Sequence, residues 1–329
     1  MTYRNRFGSL WIDRVDAPER LHARLAEGRL TEEEARQVAA FIEQGYVVLP
    51  QAVGADLIDD YARFFERSWR SPPPSVLVHT RQARRDIEPL SPDLYDQIAK
   101  VSDLHYHYPR AGEIVYPVKV QRFLELIYDG AAPVVFQTMS MRKGTEEELH
   151  IDTGPLTLTE PMSLTASWLA LEDIHEDAGP LMFVPGSHRV KEVLHRGGGK
   201  GHRDDMTDYG RVLRAILAQC EERGLRTERF LARKGDVLIW AADLMHGGSP
   251  IVDPTRTRQS LVCHFMPHGV RPTFYDASQV TYQRYPSGGY HLDRTSAPPR
   301  AQRTGLGALK GRASSALATL RTRLSGARP

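Results

Sequence analysis

A chain of 329 residues with 43 basic and 41 acidic side chains has a formal net charge of +2, so no global field selects nucleic acid or a membrane surface as partner. Two cysteines, Cys220 and Cys263, are too few for a disulfide framework and lack metal-ligand spacing, so both are expected as reduced core residues. No apolar run approaches the roughly 20 residues of a bilayer-spanning helix, and MTYRNRFGSLWIDR lacks the apolar core of a signal peptide. A cytoplasmic protein that acts on a small molecule and has no membrane span is expected; no motif specifies an oligomeric state.

In chain order, Thr31 and Glu34 form a capping box, and Val38, Ala39, Phe41 and Ile42 follow at helical spacing until Gly45 ends the helix. The strand YVVLP comes next. A second helix is predicted from about Ala55 to Trp69, with Leu57, Ile58, Tyr61, Phe64, Phe65 and Trp69 on one face. From Arg70 to Ile114 the sequence turns irregular: SPPPS breaks structure, RQARR clusters cations and DLHYHYPR mixes aromatics with histidines. This segment reads as a substrate lid. A third helix is predicted over Val118 to Asp129, stopping at Gly130.

Strands then dominate. VVFQTMSM, Val134 to Met141, places Val135, Gln137, Met139 and Met141 on one face by the two-residue period. LTASWLALEDI puts Ala166, Trp168 and Ala170 together, and Pro185-Gly186 marks a turn after GPLMFV. An amphipathic helix between Asp204 and Gly224 interrupts the sheet; strands resume at RFLAR, DVLIW and RQSLVCHFMP. Short strands punctuated by glycine and proline argue for a sandwich or barrel, mainly β with flanking helices. A length of 329 residues is compatible with one such domain carrying helical additions, taken here as residues 1–290. Beyond it, 291–329 reads as a basic, weakly amphipathic tail, expected to be flexible.

The chemistry concentrates in ELHIDTG. Side chains alternate along a strand, so His150 and Asp152 project to one side and can grip one cation. An isolated H-x-D is frequent by chance and needs a third ligand. His246 in WAADLMHGGSP follows a strand, with Gly247 and Gly248 leaving space beside its ring. Two histidines and one carboxylate leave open coordination positions, the arrangement that suits non-haem Fe(II). Arg258, with Ser260 on its face, sits twelve residues later, where an adjacent antiparallel strand could return it to the metal. A guanidinium in an otherwise apolar strand needs an anion, and the distal carboxylate of 2-oxoglutarate would serve. Arg256, on the same face, is a rival anchor.

HIDT, SWLALEDIHEDAGPLMFVPGSH, KGDVLIWAADLMHGGSP and RQSLVCHF together resemble the phytanoyl-CoA dioxygenase family of Fe(II)/2-oxoglutarate oxygenases, over roughly Phe41 to Phe265. The resemblance implies a double-stranded β-helix, a cupin-like jelly roll. It implies iron on His150, Asp152 and His246, and the 2-oxoglutarate carboxylate on Arg258 with help from Ser260. Gln137, Met139 and Trp168 would line the cosubstrate pocket. It further implies that O2 is activated to attack an unactivated C–H bond, with hydroxylation, ring closure or desaturation as outcomes. Related halogenases replace the metal carboxylate with a small residue, and Asp152 is retained.

A small polar substrate, sugar-containing or a natural product, is favoured by the polar lid candidates; an acyl-CoA thioester, a zinc hydrolase with the same ligands and a non-catalytic binding barrel are the alternatives. His105 and His107 are read as lid or surface residues, and GGGKGH as a mobile loop. His188 is read as serving a turn, His264 as satisfied within the sheet and Glu146 to Glu148 as an exposed connection. Arg81, Arg84 and Arg85 are read as a solvated cluster.

Overall fold

The computed structural model describes residues 10–80, 87–201, 206–273 and 281–293. The expectations for Arg81, Arg84 and Arg85, for His202 and for the tail beyond residue 293 lie outside the described residues.

The chain begins with helices because its first apolar residues recur at helical spacing. Helix α1 (Ala17–Ala26) leads into α2 (Glu32–Gln44). At its start the Thr31 hydroxyl accepts from the Glu34 N–H (3.2 Å), and the Glu34 carboxylate accepts from the Thr31 N–H (2.8 Å). Gly45 ends α2 at φ +83°, and a Cβ there would stand 2.5 Å from the His188 ring. Both the conformation and the space require glycine. Strand β1 (Tyr46–Leu49) follows, then α3 (Ala55–Arg70), which buries Ile58, Tyr61, Phe65 and Trp69.

The segment expected to be an irregular lid contributes three short strands, β2 (Leu77–Thr80), β3 (Glu88–Pro89) and β4 (Ala99–Ser102), before α4 (Ala111–Val115) and α5 (Val118–Ile127). The lid expectation is corrected to this extent: β4 pairs with β5 (Pro133–Met141), and β2 with β4. Strands of two to four residues are too short to show a period, so partners across the sheet define them. Within this segment His105 is buried, its Nδ1 2.7 Å from the Thr138 hydroxyl, whereas His107 is exposed.

The remaining elements are β6 (Thr165–Ala170), β7 (Leu181–Phe183), α6 (Met206–Glu222), β8 (Glu228–Phe230), β9 (Val237–Ala241), β10 (His246–Gly248), β11 (Ser260–Pro267), β12 (Thr281–Arg284) and β13 (Tyr290–Asp293). The large sheet runs β1-β9-β6-β11-β5-β4-β2-β3, with β12 and β13 joined beside β5; the small one runs β10-β7-β8. All pairings are antiparallel except that of β13 with β5. The two sheets form the double-stranded β-helix that the resemblance implies.

Alternation along β9 and β11 sorts the core. Val237, Ile239, Leu261, Cys263 and Phe265 face Leu21, Val38, Phe41, Val120 and Phe123 of the helical layer. Leu238, Trp240 and Val262 face the small sheet, where Leu181, Phe183 and Phe230 meet Ala166, Trp168 and Ala170. Burying a side chain such as Phe41, which packs edge-on to Phe123 at 5.3 Å, stabilises the helix–sheet contact by about 1.5–3 kcal/mol. Cys220 and Cys263 are free and buried.

The period-2 reading of β5 fails at one place. His264 pairs with Gln137 but Phe265 pairs with Val135, so Phe136 is an extra residue, a β-bulge. The bulge turns Val135 to the helical side, away from Met139 and Met141.

Candidate active site

His150 and His246 are joined by two backbone hydrogen bonds, His150 N–H to His246 C=O (2.9 Å) and the reverse (3.0 Å), which attach the ELHIDTG segment to the edge of the small sheet. Directly opposed residues present their side chains to the same face. The two imidazoles accordingly stand 4.4 Å apart, centroid to centroid. Asp152, two residues on, brings its Oδ1 within 3.6 Å of His246 Nε2, and the donor atoms of His150, Asp152 and His246 all lie within 4.8 Å of one another.

The environment prepares each group as a ligand. His150 Nδ1 lies 2.9 Å from the Glu148 carbonyl and His246 Nδ1 2.9 Å from the Leu244 carbonyl. A carbonyl can only accept, so Nδ1 carries the proton and Nε2 offers its lone pair to the centre. Burial pulls the His246 ring down to about 4, which keeps it neutral. Burial alone would raise the Asp152 carboxyl, but His246, His264 and His150 outweigh it and hold the group well below the carboxylate range. The Trp240 indole N–H donates to Asp152 Oδ2 (2.9 Å), leaving Oδ1 turned toward the histidines.

The residues flanking Asp152 are tethered too. The Tyr209 hydroxyl donates to the Ile151 carbonyl (3.0 Å), and the Thr153 hydroxyl to Asp243 Oδ1 (2.5 Å). Lys200 of the GGGKGH segment is buried, bonded to the other Asp243 oxygen and 3.6 Å from Glu192. The mobile-loop expectation is thereby corrected at Lys200. Gly247 also differs from expectation: a Cβ there would stand 2.5 Å from the Glu147 carbonyl, so glycine permits close approach of the 145–148 segment instead of clearing space beside the ring.

Arg258 is 1% exposed and lines the same cavity as the three donors. It arrives differently from the expected route: β10 pairs with β7, so Arg258, just before β11, reaches the centre from the opposing sheet. Its Nη1 donates to the Gly179 carbonyl (3.1 Å), Nη2 lies 3.8 Å from Met141 Sδ, and Nε has no partner among the described residues. Burial lowers its pKa to about 10, so it stays charged at neutral pH. Arg256 instead pairs with Asp253 at 3.2 Å on an exposed turn. The geometry thus separates the rivals.

Met139 and Trp168 line the cavity. Ser260 is buried beside Arg258 in the chain with its hydroxyl unpartnered among the described residues, and Gln137 lies opposite His264; neither is among the cavity's lining residues. Sequence reasoning missed Lys100, Glu147, Trp240 and His264, all of which do line it. Glu147 is no mere exposed connection: its carboxylate takes both bonds from Lys100, at 2.7 and 2.6 Å. His264 is not satisfied within the sheet, since its Nδ1 is buried without a partner among the described residues and its Nε2 lies 3.8 Å from Asp152. His188 lies in the short turn Ser187–Arg189, but its Nε2 is 3.2 Å from the Ile42 carbonyl of α2, so the contact reaches the helix and not the turn itself.

The donor set fits iron: two neutral imidazoles and one carboxylate on one face leave the remaining positions open. The buried guanidinium, without a carboxylate partner among the described residues, fits an anionic cosubstrate.

Comparison with known families matches residues 41–259 to phytanoyl-CoA dioxygenase. Among solved structures the chain is similar to the non-heme alpha ketoglutarate dependent carbocyclase SnoK from nogalamycin biosynthesis, with TM-score 0.55, 19% identity and coverage of 80% of this chain and 97% of that one. It is similar to the epimerase SnoN in complex with Fe3+, alpha ketoglutarate and nogalamycin RO, with TM-score 0.55, 16% identity and coverage of 79% and 98%. It is also similar to EctD from S. alaskensis with 2-oxoglutarate and 5-hydroxyectoine, with TM-score 0.52, 17% identity and coverage of 71% and 76%. No curated protein sequence matches. At these identities the structural likeness speaks for the fold, and the family match, which spans about two thirds of the chain, for membership. The chain belongs to the phytanoyl-CoA dioxygenase family of non-haem iron, 2-oxoglutarate-dependent dioxygenases.

Proposed function

We propose that this enzyme hydroxylates or oxidatively cyclises a small polar metabolite, sugar-containing or another natural product. The observation that carries the reading is the meeting in one cavity of a His–Asp–His donor set and a buried arginine that has no carboxylate partner among the described residues. His150 and His246 would hold Fe(II) through Nε2 and Asp152 through Oδ1. Arg258 would receive the distal carboxylate of 2-oxoglutarate, with Ser260 beside it in the chain. Met139 and Trp168 would wall the cosubstrate. Gln137, paired with the cavity-lining His264, would lie next to that wall. With 2-oxoglutarate and O2, iron supplies the oxidising power to break an unactivated C–H bond, the cosubstrate leaving as succinate and carbon dioxide. The protein's own part is to orient: Trp240 fixes the carboxylate, and the two carbonyls fix the imidazole tautomers. A zinc hydrolase would use the same three ligands but gives Arg258 no task.

The polar substrate draws support from the charged side chains of Lys100 and Glu147 in the cavity lining, which suit hydroxyl groups better than a long acyl chain. The SnoN structure holds nogalamycin RO and the EctD structure 5-hydroxyectoine, and neither is an acyl-CoA thioester. Residues 1–290 are taken as a single catalytic domain. Anaerobic addition of Fe(II) and 2-oxoglutarate should produce a weak visible charge-transfer band, and pure protein without it would sink the iron/2-oxoglutarate assignment. Candidate substrates are then screened for stimulated succinate release; stimulation by acyl-CoA alone would overturn the polar-substrate reading.

A further inference from the structure

Apart from its histidines, the cavity is lined by four ionisable groups: Lys100 and Arg258, Glu147 and Asp152. Asp152 belongs to the donor set. Arg258 meets a carbonyl and a thioether but no carboxylate among the described residues. Glu147 is therefore the one anion in the lining not committed to the metal. It bonds Lys100 with both oxygens, and its charge acts on Arg258, His150 and His246 as well. The cavity's cations face a carboxylate that the protein itself supplies.

Space makes the same point. The cavity volume is about 60 Å³. At roughly 10–15 Å³ for each water, that is space for about four to six waters. 2-Oxoglutarate has ten non-hydrogen atoms. A ligand of that size reaches beyond this space toward the cavity's open side, because the inner wall is held: Trp168, Val262 and Met141 are packed in the core between the sheets, Trp240 is bonded to Asp152, and Arg258 is buried. Glu147 belongs to the less buried part of the lining, 40% exposed at its side chain and held there by Lys100.

We infer that Glu147 is a built-in competitor for the cosubstrate: its carboxylate occupies Lys100 and the cation-lined end of the metal cavity until 2-oxoglutarate displaces it toward solvent. This rests on the oxygenase reading above and deepens it. An incoming dianion meets like charge at Glu147 and must break its pair with Lys100, so Glu147 weakens cosubstrate binding while keeping the cavity electrically balanced beforehand. Lys100, once released, faces the anion that replaced its partner.

The test is an anaerobic titration of the Fe(II)-loaded full chain with 2-oxoglutarate, followed by the visible band and independently by tryptophan fluorescence, since two of the four tryptophans, Trp168 and Trp240, line the cavity. Glu147→Gln keeps the shape and removes the charge; it should bind 2-oxoglutarate roughly tenfold more tightly, the scale of one lost repulsion at a half-exposed site. Glu147→Ala should also bind more tightly, and Lys100→Met more weakly. Unchanged or weaker binding by the two folded Glu147 variants overturns the inference, as does loss of the fold in both, which would make Glu147 structural. If the wild-type protein itself binds no 2-oxoglutarate, the oxygenase reading fails and this inference with it.

Discussion

The Trp240 indole is bonded to Asp152 Oδ2 at 2.9 Å with His264 on the same oxygen's side at 3.8 Å, and this would leave Oδ1 to hold the metal. Outer partners of this kind orient a ligand without touching the ion. Trp240→Phe keeps the packing but removes the N–H, and should weaken Fe(II) affinity about 10–100-fold, read by metal titration against a chelator. An unchanged affinity would mean that packing alone orients Asp152. Asp152→Ala should abolish stoichiometric iron binding in the same titration. At this scale the donor types and their spacing were legible in HIDT and LMHGG. Trp240 and Lys100 were not, because nothing local marks a residue that matters through a partner 88 or 47 positions away.

Among the elements, α2 was the most legible because both its ends carry local signals, the Thr31–Glu34 box and Gly45. Thr31→Ala should cost about 1 kcal/mol in denaturant-induced unfolding, the usual loss on removing an N-cap hydroxyl. Strands β2 to β4 lay at the other extreme: polar, short and stabilised only by pairing outward from β5. The bulge at Phe136 escaped the period-2 reading for a related reason, since an extra residue is defined by the partner strand. The 190–201 segment is bound to the metal loop by Lys200, buried against Asp243, which in turn holds Thr153. Lys200→Met would leave Asp243 in a largely buried site without its cation, and a loss of roughly 3–5 kcal/mol in unfolding free energy is expected. A loss below 1 kcal/mol would show that water reaches the carboxylate.

For the whole molecule, pH tests how the histidines are buried. Burial pulls His188, which is not one of the three donors, down to about 4 from an ordinary 6.5. Below 6.5 the unfolded chain takes up a proton that the folded chain refuses, so stability falls as pH drops from 6.5 toward 4, by up to about 3 kcal/mol for this residue. Asp13, pushed up to about 7 by burial and the Asp243 charge, acts in the opposite direction. The prediction therefore concerns a difference: between pH 7 and 4.5 the folded His188→Gln variant should lose less stability than wild type in parallel urea titrations, and equal losses would place His188 in contact with water.

The amino-acid sequence by itself determined the helix ends, the alternation that sorts each strand's two faces, the donor residues and the family, because capping, periodicity and ligand spacing act over a few neighbouring residues. Only the tertiary structure decided that Arg258 rather than Arg256 enters the cavity, that it does so from the opposing sheet, and that Glu147 lies against Lys100 beside the metal ligands. Those facts depend on which strands pair and how two sheets face each other, and that is set by burying one face of each strand against residues distant in the chain.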